Sequence, residues 1–199
     1  MSFTLNLPVN SVSFGQVSTL LLRELYKKNL NDFILYPIGD RYDLSSQESD
    51  EGFFNFIQAH TADFISKIKR TDSLFKLWHI NGSLDSPSDK RYLLSFYELD
   101  NPTKEEINIV KNQDKVFFSS NYTVDIFKMF GCSNVEFLPL AFDKYNFKRL
   151  EKKYFSDDRI VFNLVGKLEK RKNHKNVIQA WVKKFGNDSR YHLQCSIYN

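Results

Sequence analysis

The stretch GKLEKRKNHKN, residues 166–176, gathers Lys167, Lys170, Arg171, Lys172, His174 and Lys175. It follows an apolar run, FNLV, and leads into an amphipathic pattern, NVIQAW, so these cations stand where a buried strand hands over to a helix. Such a junction supports three kinds of chemistry. The turn can simply be solvated, the bland reading for Lys170, Arg171 and Lys175. It can hold nucleic acid, with an affinity that falls steeply with salt. It can also grip the phosphates of a small ligand, because the start of a helix adds free amide donors to the cations. Lys and Arg total 28 against 24 Asp and Glu, a net charge of +4. That balance is too mild to announce a nucleic-acid or membrane partner, and no aromatic residue interleaves the cluster.

Three further places carry residues able to touch a ligand. In PVNSVSFGQVS, Gly15 stands where a strand passes into a helix. Lacking a Cβ, it lets backbone approach a sugar or phosphate, with Ser13 and Gln16 as polar neighbours, or it serves only a tight turn. In LWHINGSL, His79 is expected at the C-terminal end of a strand, the edge where parallel sheets bind ligands, and Asn81 follows in the loop. The alternative is a histidine packed beneath that loop. Ser119 and Ser120 follow another strand and either contact ligand or cap the next helix. Cys132 and Cys195 lie far apart without metal-ligand spacing, so they read as reduced core residues of a cytoplasmic protein, with no metal or cofactor expected.

The elements that must position these residues alternate between two periods. Short apolar runs at 4–7, 33–37, 75–80, 92–97, 115–119 and 135–138 read as buried strands. Between them fall helical patterns. One runs over 16–28, with Val17, Leu20, Leu21 and Leu25 inward and Arg23, Glu24 and Lys27 outward; another runs over 52–67. A third begins at Thr103, where Glu106 completes a capping box, and a fourth runs from Ser120 or Asn121 to a stop at Gly131. Together they predict an α/β chain with a mainly parallel, Rossmann-like sheet. A polar, aromatic stretch at 141–158 separates this region from a strand at 160–165, the cationic turn, a helix ending at Gly186 and a strand at 191–197. With 42% hydrophobic residues the chain can bury a large core. The N-terminus has neither a basic n-region nor a long apolar run, and no stretch approaches a bilayer span, so an unexported, soluble chain is expected.

FNLVGKLEKRKNHKNVIQAW resembles the segment that opens the second domain of GT-B glycosyltransferases, in particular the retaining enzymes of glycosyltransferase family 4. There V-G-R-L is followed by K-G and a helix like LIEAF. Upstream, FFSSNYTVDIFKMFGCSNVEFLPLAFD is similar to the family's strand, Ser, helix ending in F-x-x-x-G, and strand leading to I-P-x-G-V-D. SFGQVSTLLLRELYKKN resembles its first turn and helix, so the likeness extends from Ser13 to Trp181.

The resemblance implies an acceptor-side domain over 1–145, a linker over 146–158, and the start of a nucleotide-sugar-binding domain over 159–199. Family members continue well beyond this point, with an E-x7-E motif, so the resemblance implies only the first strand-helix-strand of that domain. The implied reaction is transfer of a sugar from a nucleotide diphosphate donor to an acceptor hydroxyl with retention and without a metal. The departing diphosphate would be stabilised by residues that fall on Lys167 and Lys172. Lys167 replaces an Arg, keeping charge but losing the planar fork, and Asn173 replaces a Gly. A donor-contacting His of the family falls on Tyr97 or Glu98. Glu98 there would accept hydrogen bonds from sugar hydroxyls, or else it is a carboxylate in the approach to a helix. The contrasting expectation is a noncatalytic sugar- or nucleotide-binding module that docks on a partner chain, or on another copy, through the exposed edge of its C-terminal sheet.

Overall fold

The computed structural model describes residues 3–39, 42–62, 72–149, 151, 155 and 157–198. Two compact units divide the chain, Met1–Lys148 and Arg149–Asn199. In the first, the described residues form, in order, β1 (Phe3–Pro8), α1 (Ser13–Lys27), β2 (Phe33–Ile38), α2 (Glu51–His60), β3 (Ser73–Leu77), β4 (Lys90–Ser95), α3 (Lys104–Lys111), β5 (Lys115–Phe118), α4 (Asn121–Met129) and β6 (Val135–Phe137), with a loop and no helix between β3 and β4. Every pairing is parallel, and the order across the sheet is β2-β1-β3-β4-β5-β6. The protein is a Rossmann-like α/β fold, as its alternating periods predict.

Alternation of side chains along each strand builds two cores. Leu5, Leu7, Leu35, Leu77 and Leu94 join Leu22 of α1 and Phe53 and Ile57 of α2 on one face. Leu93, Val116, Phe118 and Val135 join Val110 of α3 and Val124 and Phe127 of α4 on the other. The adjacent residues Leu93 and Leu94 thus serve opposite layers. Each fully buried Leu, Ile or Phe contributes about 1.5–3 kcal/mol of transfer free energy. A right-handed strand-helix-strand connection that moves one way across a sheet covers one face, and one that moves the other way covers the opposite face. The direction reverses between β1 and β3, so α1 and the β3–β4 connection diverge there and leave the strand ends open between them.

Several boundaries differ from expectation. β3 ends at Leu77, which puts His79 in the following loop rather than on the strand. α2 stops at His60; Thr61 is extended and bridges Leu35 at the outer edge of β2. The rest of the expected helix, including Phe64 and Lys67, lies outside the described residues, as does part of the stretch 146–158. Arg23, expected to face solvent, is buried. The capping box forms as predicted: Thr103 Oγ1 accepts from the Glu106 N–H at 3.2 Å, and Glu106 Oε2 accepts from the Thr103 N–H at 2.8 Å.

The second unit pairs β7 (Ile160–Lys167) with β8 (Tyr191–Tyr198) in parallel, with α5 (His174–Phe185) between them in sequence. The apolar stripe of α5 runs through His174, Ile178, Trp181 and Phe185, while Val177 and Val182 are exposed. Phe185 packs on Phe162 of β7 at 5.5 Å and Tyr191 of β8 at 4.4 Å. α5 ends at Gly186 as expected, whereas Cys195, expected in the core, is exposed on β8. Among the described residues no helix is long and apolar enough to cross a membrane.

Candidate functional site

Eight of the residues singled out in the first unit lie in the loops that leave the C-terminal ends of β1, β3, β4 and β5, or in the turn of helix that follows. Ser13, Gly15 and Gln16 follow β1; His79 and Asn81 follow β3; Tyr97 and Glu98 follow β4; Ser119 follows β5. In a parallel sheet this edge collects the loops that can face a ligand, and the reversal between β1 and β3 opens a crevice in it. Phe14, the second residue of α1, ties the β1 and β3 loops together. Its ring stacks on Phe96 at 4.5 Å, meets His79 edge-on at 4.7 Å and lies 5.8 Å from Trp78.

Gly15 is where it is for a different reason from close approach of a ligand. A Cβ there would stand 2.1 Å from the Asn10 carbonyl oxygen and 2.2 Å from Asn10 Oδ1. The protein's own turn fills the space, which makes Gly15 a packing glycine. Gln16 is likewise consumed internally. Its amide donates to the Ser11 carbonyl at 3.1 Å and to Ser46 Oγ at 2.6 Å, and its carbonyl accepts from Gln47 at 3.0 Å. Beside it, Ser11 donates to Asp43 at 2.6 Å and the Ser45 N–H donates to the same carboxylate at 3.0 Å. These bonds, led by that from Ser11, hold the Asp43 carboxyl down at about 2. Together they lash the β1–α1 turn to the loop before α2. Ser13 and Asn81 are exposed, as is His79, whose ring makes only aromatic contacts among the described residues.

Tyr97 belongs to the scaffold. Its hydroxyl donates to Glu106 at 3.1 Å, its ring meets Phe127 edge-on at 5.2 Å, and its carbonyl accepts from Thr123. Burial, then the Glu106 carboxylate, push the phenol up to about 12. Glu98 is exposed in the loop before α3, and Ser119 is half-buried. Ser120, not Ser119, is the N-cap residue of α4, without a side-chain capping bond.

Lys76 was not legible in the sequence as a structural residue. It lies abreast of Asn6 and Tyr36 in a polar row across β3, β1 and β2, and only 5% of it is exposed. Its ammonium donates to the Asp85 carbonyl at 2.6 Å, and burial lowers its pKa. This bond fastens the loop that presents His79 and Asn81. A cavity of about 450 Å³ opens beside the start of α2, but Glu48, Asp50 and Glu51 rim it, which suits neither phosphate nor an anionic sugar donor.

In the second unit the cationic turn is a short 3₁₀ segment, Lys170–Lys172, closed by Asn173 in the left-handed conformation. Lys167 is the last residue of β7 rather than part of the turn. Gly166 faces α5, with φ +135°, a conformation L side chains rarely adopt, and its missing Cβ would lie 4.0 Å from His174 Nε2. Pleating therefore sends Lys167 off the face away from α5, whereas Lys172 lies in the turn that leads into that helix. Both are exposed. His174, counted by sequence among the cations, is 5% exposed and its Nδ1 is buried without a partner. Its place at the head of an i, i+4, i+7, i+11 stripe was the signal for burial. No group of three His, Cys, Asp or Glu side chains among the described residues is placed to hold a metal.

The fold is that of a Rossmann-like α/β protein whose strand order reverses between β1 and β3. No protein-family model matches the chain, and no curated protein matches it.

Proposed function

We propose that the protein acts as a GT-B-type glycosyltransferase, or as part of one, of the retaining, nucleotide-sugar-dependent kind. The observation that carries the proposal is the β7–turn–α5 junction, where Lys172 stands exposed beside a glycine-bearing strand end and α5 starts without a side-chain capping bond. Fixed cations and free amide donors are what a departing diphosphate requires as negative charge grows on it. The parallel six-stranded sheet with its open C-terminal edge, and the sequence resemblance over residues 13–181, support the same reading.

In this scheme the bond from the anomeric carbon to the diphosphate breaks, and its electron pair leaves on the diphosphate. The acceptor oxygen forms the new bond on the same face, and its proton passes to a diphosphate oxygen. Lys172 supplies the principal cation, and Lys167 reaches the same end of β7 by side-chain length alone. Glu98 is assigned to sugar hydroxyls. Replacing Lys172 by Ala weakens calorimetric binding of a nucleoside diphosphate by about 1.5 kcal/mol, roughly tenfold, with Tm unchanged. Equal affinity in parent and variant removes Lys172 from the site, and failure of the parent to bind any nucleoside diphosphate removes the proposal.

A second reading rests on the exposed apolar side chains of the second unit. Ile160, Val165, Leu168, Val182 and Tyr198 are all more than half exposed. A binding module that docks on a partner through this surface would show a concentration-dependent mass by size-exclusion chromatography with light scattering and no turnover of any nucleotide sugar.

A further inference from the structure

We propose that Trp78 and His79, backed by the Phe14–Phe96 stack, form a platform on which a pyranose ring of the acceptor lies. The word acceptor rests on the glycosyltransferase reading; recognition of a sugar ring does not.

The platform stands where the strand order reverses between β1 and β3, the kind of point at which parallel sheets bind ligands. Its base is rigid. Phe14 is buried, and its ring lies nearly parallel to Phe96, 13° apart at 4.5 Å. Its top is open, since Trp78 is half-buried and His79 is exposed. The Trp78 and His79 rings meet at 74° with centroids 5.3 Å apart, and His79 also stands edge-on to Phe14.

A cluster that served packing alone would bring its imidazole inside and give its nitrogens partners. Here the imidazole is exposed, with no hydrogen-bond partner among the described residues. A flat nucleobase is held best between two parallel faces, and rings at 74° provide no such slot. A pyranose differs in having one face of C–H groups and a rim of hydroxyls. Its apolar face suits the indole while a rim hydroxyl reaches the imidazole, which both donates and accepts. Asn81 and Ser13 flank the spot as further exposed hydrogen-bonding groups. The Lys76 tether to Asp85 holds the loop that carries Trp78 and His79, so the platform is set before a ligand arrives.

The test uses the full chain carrying Trp181→Phe, in which Trp78 is the sole indole. Methyl glycosides of glucose, galactose and N-acetylglucosamine are titrated while its emission is followed. A saturable change with at least one glycoside is expected. By calorimetry, Trp78→Ala then weakens binding about tenfold and Trp78→Phe much less. His79→Ala, at an exposed position, weakens it severalfold without lowering Tm. The absence of any saturable response overturns the platform. So does binding that neither Trp78→Ala nor His79→Ala alters, and so does a response to uridine or adenosine without one to the glycosides. Glycoside binding by a chain that transfers nothing from any nucleotide sugar leaves the platform standing and removes the transferase reading. Transfer with an unchanged acceptor KM in Trp78→Ala does the reverse.

Discussion

Asp50 holds two structural jobs, and single substitutions separate them. Its carboxylate accepts from the Phe53 N–H at 2.9 Å, which caps α2, and pairs with Arg23 at 3.3 Å. The Arg23 side chain is 5% exposed and that of Asp50 27%. The guanidinium also lies 4.2 Å over the Phe53 ring, while its Nε and Nη2 are buried without partners. Stranding a buried charge costs about 3–5 kcal/mol, and the loss of an N-cap costs about 1 kcal/mol. Asp50→Asn keeps one oxygen, enough for the cap at Phe53, but loses the charge and puts an amide N–H donor where Arg23 needs an acceptor; water at the quarter-exposed side chain limits the loss to about 2 kcal/mol. Asp50→Ala removes charge and cap together and costs about 3–5 kcal/mol, a large share of the ~5–15 kcal/mol that holds a typical domain. Arg23→Met removes the under-satisfied cation itself and leaves Asp50 partly hydrated, so its cost is about 1 kcal/mol or less. Lys27, 3.9 Å from Asp50 and half exposed, is worth at most about 0.5 kcal/mol. Urea unfolding followed at Trp78 in the Trp181→Phe chain reports the first unit and gives each value. An Asp50→Asn variant as stable as the parent, or an Arg23→Met variant costlier than Asp50→Asn, would rule out a stabilising buried charge pair at this place.

Three shorter predictions concern the scaffold of the crevice. Because folding depresses the Asp43 carboxyl to about 2, its contribution is complete above the unfolded value of about 4 and is lost as pH falls through 2. The gap in urea midpoint between parent and Asp43→Asn should therefore close across that window, and a gap that persists at pH 2 contradicts the Ser11 and Ser45 bonds. Folding raises the Tyr97 phenol instead, so its contribution holds below about 10 and vanishes as pH rises through about 12. A difference ultraviolet titration against Tyr97→Phe should show one phenol ionising near 12, and Glu106→Gln should lower it only partway, since burial is the larger cause. Gly15→Ala drives a methyl into Asn10 and should cost about 1–3 kcal/mol by thermal melting; an unchanged Tm would show that the turn opens freely.

The sheet was legible because its strands are short apolar runs whose length and bounding turns decide the matter locally. The start of α3 was legible because a capping box is a four-residue pattern. Strand order, and with it the position of the crevice, depends on pairing between distant segments, which no window of sequence contains. Arg23, Lys76 and His174 escaped because a charged or titratable residue read alone is assigned to the surface. Each is buried where a remote partner or a neighbouring glycine makes room: Asp50 for Arg23, the Asp85 carbonyl for Lys76, Gly166 for His174. Gln16 misled in the opposite direction, since a polar residue beside a turn glycine suggests a ligand contact until Ser11, Ser46 and Gln47 are seen to satisfy it.

The same residues explain which groups at the sheet edge remain available for recognition. Gln16, Asp43, Tyr97 and Lys76 spend their hydrogen bonds fixing the loops after β1, β2, β3 and β4. A polar group fully engaged by its own protein must break those bonds to meet a ligand, and each broken bond subtracts from affinity. What the loops then present without that penalty are the exposed imidazole of His79, the half-open indole of Trp78, and the outward Ser13 and Asn81. The sequence ranked Gly15 and Gln16 beside His79 because it sees residue types. Geometry separates them by what each has already bonded, and that separation moves the weight of the site from the first turn to the loop after β3.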